Sequence, residues 1–452
     1  MTGMSRLMLR QVAEPRRPTR GDTSIGVPRH ATFQRARVER QVGWTFMFVA
    51  FLGYIFAVTT YRLPIAELSM IAALIGLLLQ RERLRLPAML LWSGLLLGWC
   101  ALGYLYTDFP AVVWENVVVL AKLCLIMLVA VNALRSPAQV RFFMIFFLAC
   151  YALFPVRGTM VNYFVAHYTI FGRALWNYMY SNPNDLAALT LLPLSTAAAL
   201  LATERTGWIR LGAIAGIAVL PVLILMTQSR GGFIALCVFA AFALRGQRRR
   251  LRTPLIVAGL ALGVIAVAPS GVWKRVKGLS HVAENLDQVD PEGSAKQRFQ
   301  VWQMAVSIVG DHPWTGVGWG AYPMAHAQYA PLSGADGPRQ LGQRDTHSTY
   351  LNVLAETGYP GLVLFLTLLW SAVREAEKAR RLCRKGQPLV ALQLKYLELG
   401  LLAFLVAGVW ASYAKLSFLY LHLVLLWAVA QNATRAAQQA PVLAARQPAQ
   451  IV

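Results

Sequence analysis

Four short clusters in the 452-residue chain hold side chains that can bind anions or move protons. They are Asn182-Pro183-Asn184-Asp185, Ser229-Arg230-Gly231-Gly232, Arg298 with Trp302 and the following His312-Pro313-Trp314-Thr315-Gly316-Val317-Gly318, and His347-Ser348-Thr349-Tyr350-Leu351-Asn352 leading into Glu356-Thr357-Gly358. Arg230 stands before two glycines at the start of an apolar run, where free main-chain N–H groups and the helix dipole favour an anion. Guanidiniums at Arg230 and Arg298 suit a diphosphate, gripping it through bidentate hydrogen bonds and neutralising charge that grows as it leaves. A snorkelling anchor or a surface ion pair explains either arginine equally well. An imidazole, with an unperturbed pKa of about 6.5, is suited to removing a proton from a hydroxyl near neutral pH, which makes His347 a candidate base. Hydrogen bonding at a helix entry is its alternative role. His312 reads as a turn former before Pro313, and His422 as a packing residue on an apolar helix.

The elements that must position these groups are membrane helices. Hydrophobic residues make up 57% of the chain and charged residues only 14%, about half the globular norm, which sets a water-soluble enzyme aside. Apolar stretches lie at Trp44–Tyr61, Leu63–Leu79, Leu86–Tyr104, Val112–Leu134, Phe142–Phe154, Leu186–Leu201, Trp208–Met226, Gly231–Leu244, Pro254–Pro269, Tyr350–Val373, Tyr396–Tyr413 and Leu416–Ala430. Runs such as Met89–Leu97 and Leu211–Met226 are apolar on every face, unlike the alternating strands of a barrel. The fold class expected is an all-α polytopic membrane protein with about 12 transmembrane helices, several needing flanking Arg, Trp or Tyr to complete a span.

Charge placement gives the orientation. The net charge is +23, from 43 Lys and Arg against 20 Asp and Glu. Most basic residues fall in connections on one side, with nine in residues 1–42, five in 245–252 and seven in 374–395. By the positive-inside rule that side is cytoplasmic, and the basicity reads as topology and attraction to anionic lipid, not nucleic acid. All four clusters then share the outer face.

The expected organisation is a basic, disordered cytoplasmic segment (1–42), helices 1–9 within 43–270, an outer loop over 271–346, helices 10–12 within 347–430 and an unstructured cytoplasmic tail (431–452). The loop carries seven acids and seven bases. Val282–Asp290 and Arg298–Val309 read as short helices, the second with Phe299, Trp302, Ala305 and Val306 along one side. Gly316 to Gly342, dense in Gly, Pro and aromatics, reads as irregular. The five cysteines suggest no disulfide framework or metal cluster. Asp287, Asp290 and Glu292 are the one close set of outer acids and read as a solvated face. Lys122 and Glu115 fall on one face of the fourth helix, where a pair of ions is either a transporter's relay or a structural bridge.

Together, the Ser229-Arg230-Gly231-Gly232 cluster, Arg298 with Trp302, the Pro313–Gly318 run and the His347–Gly361 segment resemble the O-antigen ligase and Wzy-type polymerase superfamily. The resemblance is strong from Asn182 to Gly361 and elsewhere rests on span number and loop placement. Within the superfamily, a mid-sized chain with one outer loop of this size is most similar to the ligase that moves O-antigen from undecaprenyl diphosphate onto the lipid A–core oligosaccharide in lipopolysaccharide biosynthesis. The resemblance implies a membrane-embedded C-class glycosyltransferase that needs no metal or other cofactor. Its site would face the periplasm from the bacterial inner membrane, with both termini cytoplasmic. Its partners would be the undecaprenyl-diphosphate-linked donor, the lipid A–core acceptor and membrane lipids, with no nucleic acid. It implies that Arg230 and Arg298 hold the diphosphate and that His347 is the general base; Trp302, Tyr350, Asn182 and Asn184 complete the candidate substrate-binding set. Many relatives have Asn directly after the histidine, where this chain has Ser348. The remaining alternatives are a polymerase or a protein O-oligosaccharyltransferase of the same superfamily, and a secondary transporter from a different class.

Overall fold

The structure, a computed structural model, describes residues 43–61, 63–205, 207–245, 294–332 and 341–445. The expected N-terminal segment 1–42, the apolar stretch Pro254–Pro269, the short helix Val282–Asp290 and the acids Asp287, Asp290 and Glu292 lie outside these residues. Among the described residues the helices are α1 (Phe46–Thr60), α2 (Ala66–Leu79), α3 (Ala88–Leu102), α4 (Pro110–Ala133), α5 (Pro137–Tyr151), α6 (Arg157–Phe164), α7 (Pro183–Thr203), α8 (Gly207–Met226), α9 (Arg230–Leu244), α10 (Ser294–Asp311), α11 (Tyr322–Leu332), α12 (Thr349–Gly386), α13 (Pro388–Ala407) and α14 (Ser417–Ala445). No strand forms among them, and the protein is an all-α polytopic membrane protein. Eight helical segments are long and apolar enough to cross a membrane, and α1, α2 and α9 are apolar but shorter.

Several bounds differ from the sequence expectation. The fifth stretch extends to Pro137–Phe164, because the turn Ala152–Val156 widens to a π-helix around Pro155 and thereby absorbs a residue with no N–H to donate. α10 begins at Ser294, ahead of the Arg298 expected to open it, and α11 occupies part of the stretch expected to be irregular. Between Gly320 and Gly334 there is no glycine, and the Ala, Met and Gln of that interval favour a helix. The eleventh stretch ends at Ala407, which leaves 408–413 as a connection. α14 carries the supposedly unstructured tail on to Ala445, since its alanines are the strongest helix formers. Lys122 pairs with Glu67 of α2 at 2.7 Å and not with Glu115, which makes it a bridge between neighbouring helices.

Helix starts follow from local chemistry. The Ser136 and Gln139 side chains form a reciprocal capping box on α5, and α4, α5, α7 and α13 each begin with Pro in the first turn, where its missing N–H costs nothing. α7 is buried at nearly every position from Leu186 to Leu200, as expected for a helix apolar all round. It packs against α8, α9 and α13. A side chain at Gly232 would collide with Ala187, and one at Gly400 with Ser195, so small residues let α9 and α13 approach α7 closely. The ends of α7 mark the two ends of the bundle. Glu204, just past its C-terminus, pairs with Arg141 of α5, whose Nη2 lies 3.0 Å from Oε2, while Asn184 at its N-terminus belongs to the site described below.

α12 is broken at Gly358, where φ is +65° and ψ −174°. Pro360 has no N–H for the Glu356 carbonyl, and the bend leaves the Ala355 carbonyl without its helical donor. The Pro313–Gly318 run fills both vacancies: Val317 N donates to Ala355 O at 3.0 Å, Gly318 N to Glu356 O at 2.9 Å, and Tyr359 N donates back to Pro313 O at 2.8 Å. The Trp99 indole donates to Thr357 O at 2.9 Å. Buried Glu356 accepts from Asn352 at 3.0 Å and faces Lys415 at 3.5 Å, whose ammonium lies over the Trp319 ring.

A Cβ at Gly358 would overlap the Trp314 backbone, whereas one at Gly310 meets nothing. Gly358→Ala adds this overlap to an unfavourable left-handed backbone. It should lower the midpoint of thermal unfolding in detergent by several degrees, with Gly310→Ala unchanged or slightly stabilised.

Candidate functional site

The first turns of α7 and α9 meet one cavity of about 170 Å³. Arg173, Asn184, Gln228, Ser229, Arg230, Arg298, Trp410 and Tyr413 supply most of its wall, with Gly231, Gly232 and Ala407. Three guanidiniums therefore face one small space. At well under the 300–1,000 Å³ of a pocket that swallows a whole organic ligand, it suits a compact anionic group.

Each cation is held by its own local structure. Ser229 caps α9, its hydroxyl accepting from Gly232 N at 3.2 Å, which sets Arg230 as the first helical residue. The preceding Gln228 has φ of +52° and donates from Nε2 to Gly172 O at 3.0 Å. Arg173, from the connection between α6 and α7, donates from Nε to Thr227 O at 2.9 Å and from Nη2 to Asn184 Oδ1 at 2.8 Å. Those bonds fix its guanidinium plane and tie the connection to the α8–α9 turn. Asn182 caps α7 by accepting from Asn184 N at 2.8 Å. Both helices thus present dipole-positive ends to the cavity.

Arg298 is placed through Trp302, one turn further along α10. The Trp302 indole donates to Thr346 O at 2.9 Å, the carbonyl just before His347. The His347 loop is in turn stapled to the α13–α14 connection that supplies Trp410 and Tyr413. Thr349 Oγ1 donates to Ala411 O at 2.7 Å and accepts from Tyr413 N at 2.9 Å, and Thr349 N donates to Gly408 O at 2.8 Å. Thr346 and Ser412 share a hydroxyl contact at 3.0 Å. Tyr413 donates to Asn184 O at 3.0 Å, and burial holds its hydroxyl well above the usual tyrosine range, so it stays a neutral donor.

His347 is half-exposed beside this cavity, with φ of +49°. Burial lowers its proton affinity below the ordinary histidine value; Asp345 opposes that and Arg298 and Arg344 add to it. This favours the neutral ring, which is able to accept a proton. Ser348 caps α12, its hydroxyl facing Leu351 N at 3.5 Å.

Of the residues expected from sequence, Arg230, Arg298 and Asn184 share the cavity, and His347, which does not line it, feels the charge of Arg298. Trp302, Asn182 and Tyr350 do not line it. Trp302 and Asn182 serve as the staple and the cap just described, and Tyr350 donates to Leu405 O at 2.8 Å. His312 accepts the Gly316 N–H on its carbonyl at 3.0 Å, forming the expected turn, and the His422 ring meets Leu397 O at 2.9 Å in the core. Among the described residues no three His, Cys, Asp or Glu side chains gather as a metal site.

Residues 215–366 match the family model described as O-antigen ligase. The chain carries an O-antigen ligase domain. The match spans about a third of the chain and supports membership of the O-antigen ligase superfamily. No curated protein matches the chain. The ligase domain contains Arg230, Arg298, Trp302 and His347, whereas Arg173, Asn184, Trp410 and Tyr413 reach the cavity from outside the matched residues. Arg173, Gln228, Asp345, Trp410 and Tyr413 escape a reading by motif. The signal available for Asp345 was its place two residues before His347; Arg173 stands among aromatic residues in a connection with no pattern to mark it.

Proposed function

We propose that the protein is an O-antigen ligase that transfers polysaccharide from undecaprenyl diphosphate to a sugar hydroxyl of the lipid A–core oligosaccharide, with inversion and without a metal, on the periplasmic face of the bacterial inner membrane. The observation that carries this reading is the gathering of Arg230 and Arg298, distant in sequence, around one cavity with His347 beside Arg298. In this reaction His347 takes the acceptor hydroxyl proton as that oxygen attacks the donor's anomeric carbon. The bond from that carbon to the diphosphate breaks, and its electron pair leaves with the diphosphate oxygen.

Charge arithmetic gives the third guanidinium a purpose. A sugar-linked prenyl diphosphate carries two negative charges, and its release as a prenyl diphosphate adds a third. Cations are worth most where charge develops during the reaction. The ligase superfamily also supports lipid-linked glycan substrates, and the apolar helices around the site supply surfaces for prenyl and acyl chains.

Reconstituted protein, given defined undecaprenyl-diphosphate glycan and a panel of acceptors with chelator present, should attach glycan to lipid A–core. Lengthening of the lipid-linked glycan instead would make it a polymerase, and glycan on polypeptide a protein oligosaccharyltransferase. His347→Ala should abolish transfer while donor binding persists; lost binding would make His347 a structural residue. Arg230→Lys keeps the charge but loses the bidentate fork, so turnover should fall sharply. Arg173→Gln should lower kcat by roughly ten- to a hundredfold with donor KM little changed, as for loss of a donor aimed at developing charge. A rise in KM alone would make Arg173 a ground-state binder.

A further inference from the structure

Next to the imidazole stands a carboxylate that the reaction above does not use. Asp345 Oδ2 accepts the His347 main-chain N–H at 3.1 Å and lies 3.5 Å from Nδ1 of the same residue's ring. One oxygen therefore holds both the backbone and the side chain of His347. The backbone needs holding: a left-handed φ costs a residue with a Cβ about 1 kcal/mol or more and persists only where neighbours enforce it. Asp345 enforces it from one side, and Thr346 Oγ1, donating to Ser348 O at 3.0 Å, from the other.

The charged groups facing the ring are Asp345, Arg298 and Arg344. Two cations and partial burial weaken the imidazole as a base, and Asp345 alone acts in the opposite sense. Its carboxylate is 42% exposed and the His347 ring 44%, so water screens the pair but does not remove its influence. The Nδ1 distance is long for a hydrogen bond, as catalytic contacts often are before substrate tightens them.

We infer that Asp345 is the positioning residue of the base, holding His347 with its proton on Nδ1 so that Nε2 faces the acceptor hydroxyl. This rests on the reading of His347 as general base. During transfer Nε2 receives the hydroxyl proton, the new bond forms from that oxygen to the anomeric carbon, and the diphosphate leaves with the electron pair. Asp345 orients and stabilises the imidazolium, the division of labour of an Asp–His pair in hydrolases.

The test compares the full-length protein with Asp345→Asn and Asp345→Glu in lipid nanodiscs. Asn keeps an oxygen for the His347 N–H, so the turn survives while the charge is lost. For Asp345→Asn, kcat should fall at least about tenfold, within the ~10⁴ bound of the hydrolase precedent, with donor KM within about threefold. The acid limb of the rate profile should move to lower pH, because removing a neighbouring negative charge lowers the imidazole's proton affinity. Asp345→Glu should recover part of the rate. NMR titration of 15N-histidine-labelled protein, with His347→Gln identifying the resonance, should show the wild-type Nδ1–H tautomer and a lowered pKa in Asp345→Asn, independently of transfer. Unchanged kcat and pH profile in Asp345→Asn would overturn the assignment even if the resonance shifts, as would a defect confined to donor KM. If instead His347→Ala turns over normally, the general-base reading itself fails, and the NMR titration still reports whether Asp345 controls the ring.

Discussion

Three arginines line one small cavity, and the end of the bundle where α7 and α9 begin is organised to hold them there. Like charges a few ångströms apart in a partly dry site cost several kcal/mol at an effective dielectric of about 20. Hydrogen bonds to protein atoms oppose that cost. Arg173 is clamped to Thr227 and Asn184, Arg230 is set by the Ser229 cap, and α10, which carries Arg298, is fastened to the histidine loop. Two dipole-positive helix ends add to the same field.

A different kind of work falls to the Gly- and Trp-rich run Pro313–Gly318. Its residue types attract attention in the sequence, yet its main-chain groups are spent on the carbonyls and N–H that the α12 break exposes. The break in turn lets a helix of 38 residues begin beside the cavity and change course. Motif residues here divide into those that meet the cavity and those that shape the helix carrying the histidine loop.

The fold was legible because membrane helices announce themselves: eleven of the twelve apolar stretches fall on helices, and the remaining one lies outside the described residues. Errors came where composition misled. α11 was hidden by surrounding Gly and Pro, the extension of α14 by a polar Ala- and Gln-rich sequence, and the connection 408–413 by the apolar residues on both sides of it. Arg230, Arg298 and His347 were legible because glycines, a helix start or an aromatic neighbour frames each. Arg173 and Tyr413 were not, since only folding brings their connections to the α7 N-terminus. Trp302 and Tyr350 were read as substrate contacts by their chemistry, but their polar atoms are committed to Thr346 O and Leu405 O, which no spacing rule foretells.

The bond from the Trp302 indole to Thr346 O reinforces the packing of α10 on α12 with a direct mechanical linkage to the histidine loop. Arg298 sits one turn before the tryptophan and His347 one residue after the carbonyl, so a small tilt or slide of α10 drags the loop with it. The spacing between cation and imidazole is thereby buffered against the thermal breathing of α10, whose Val301, Ala305 and Ile308 join the core, and the pair travels as one body.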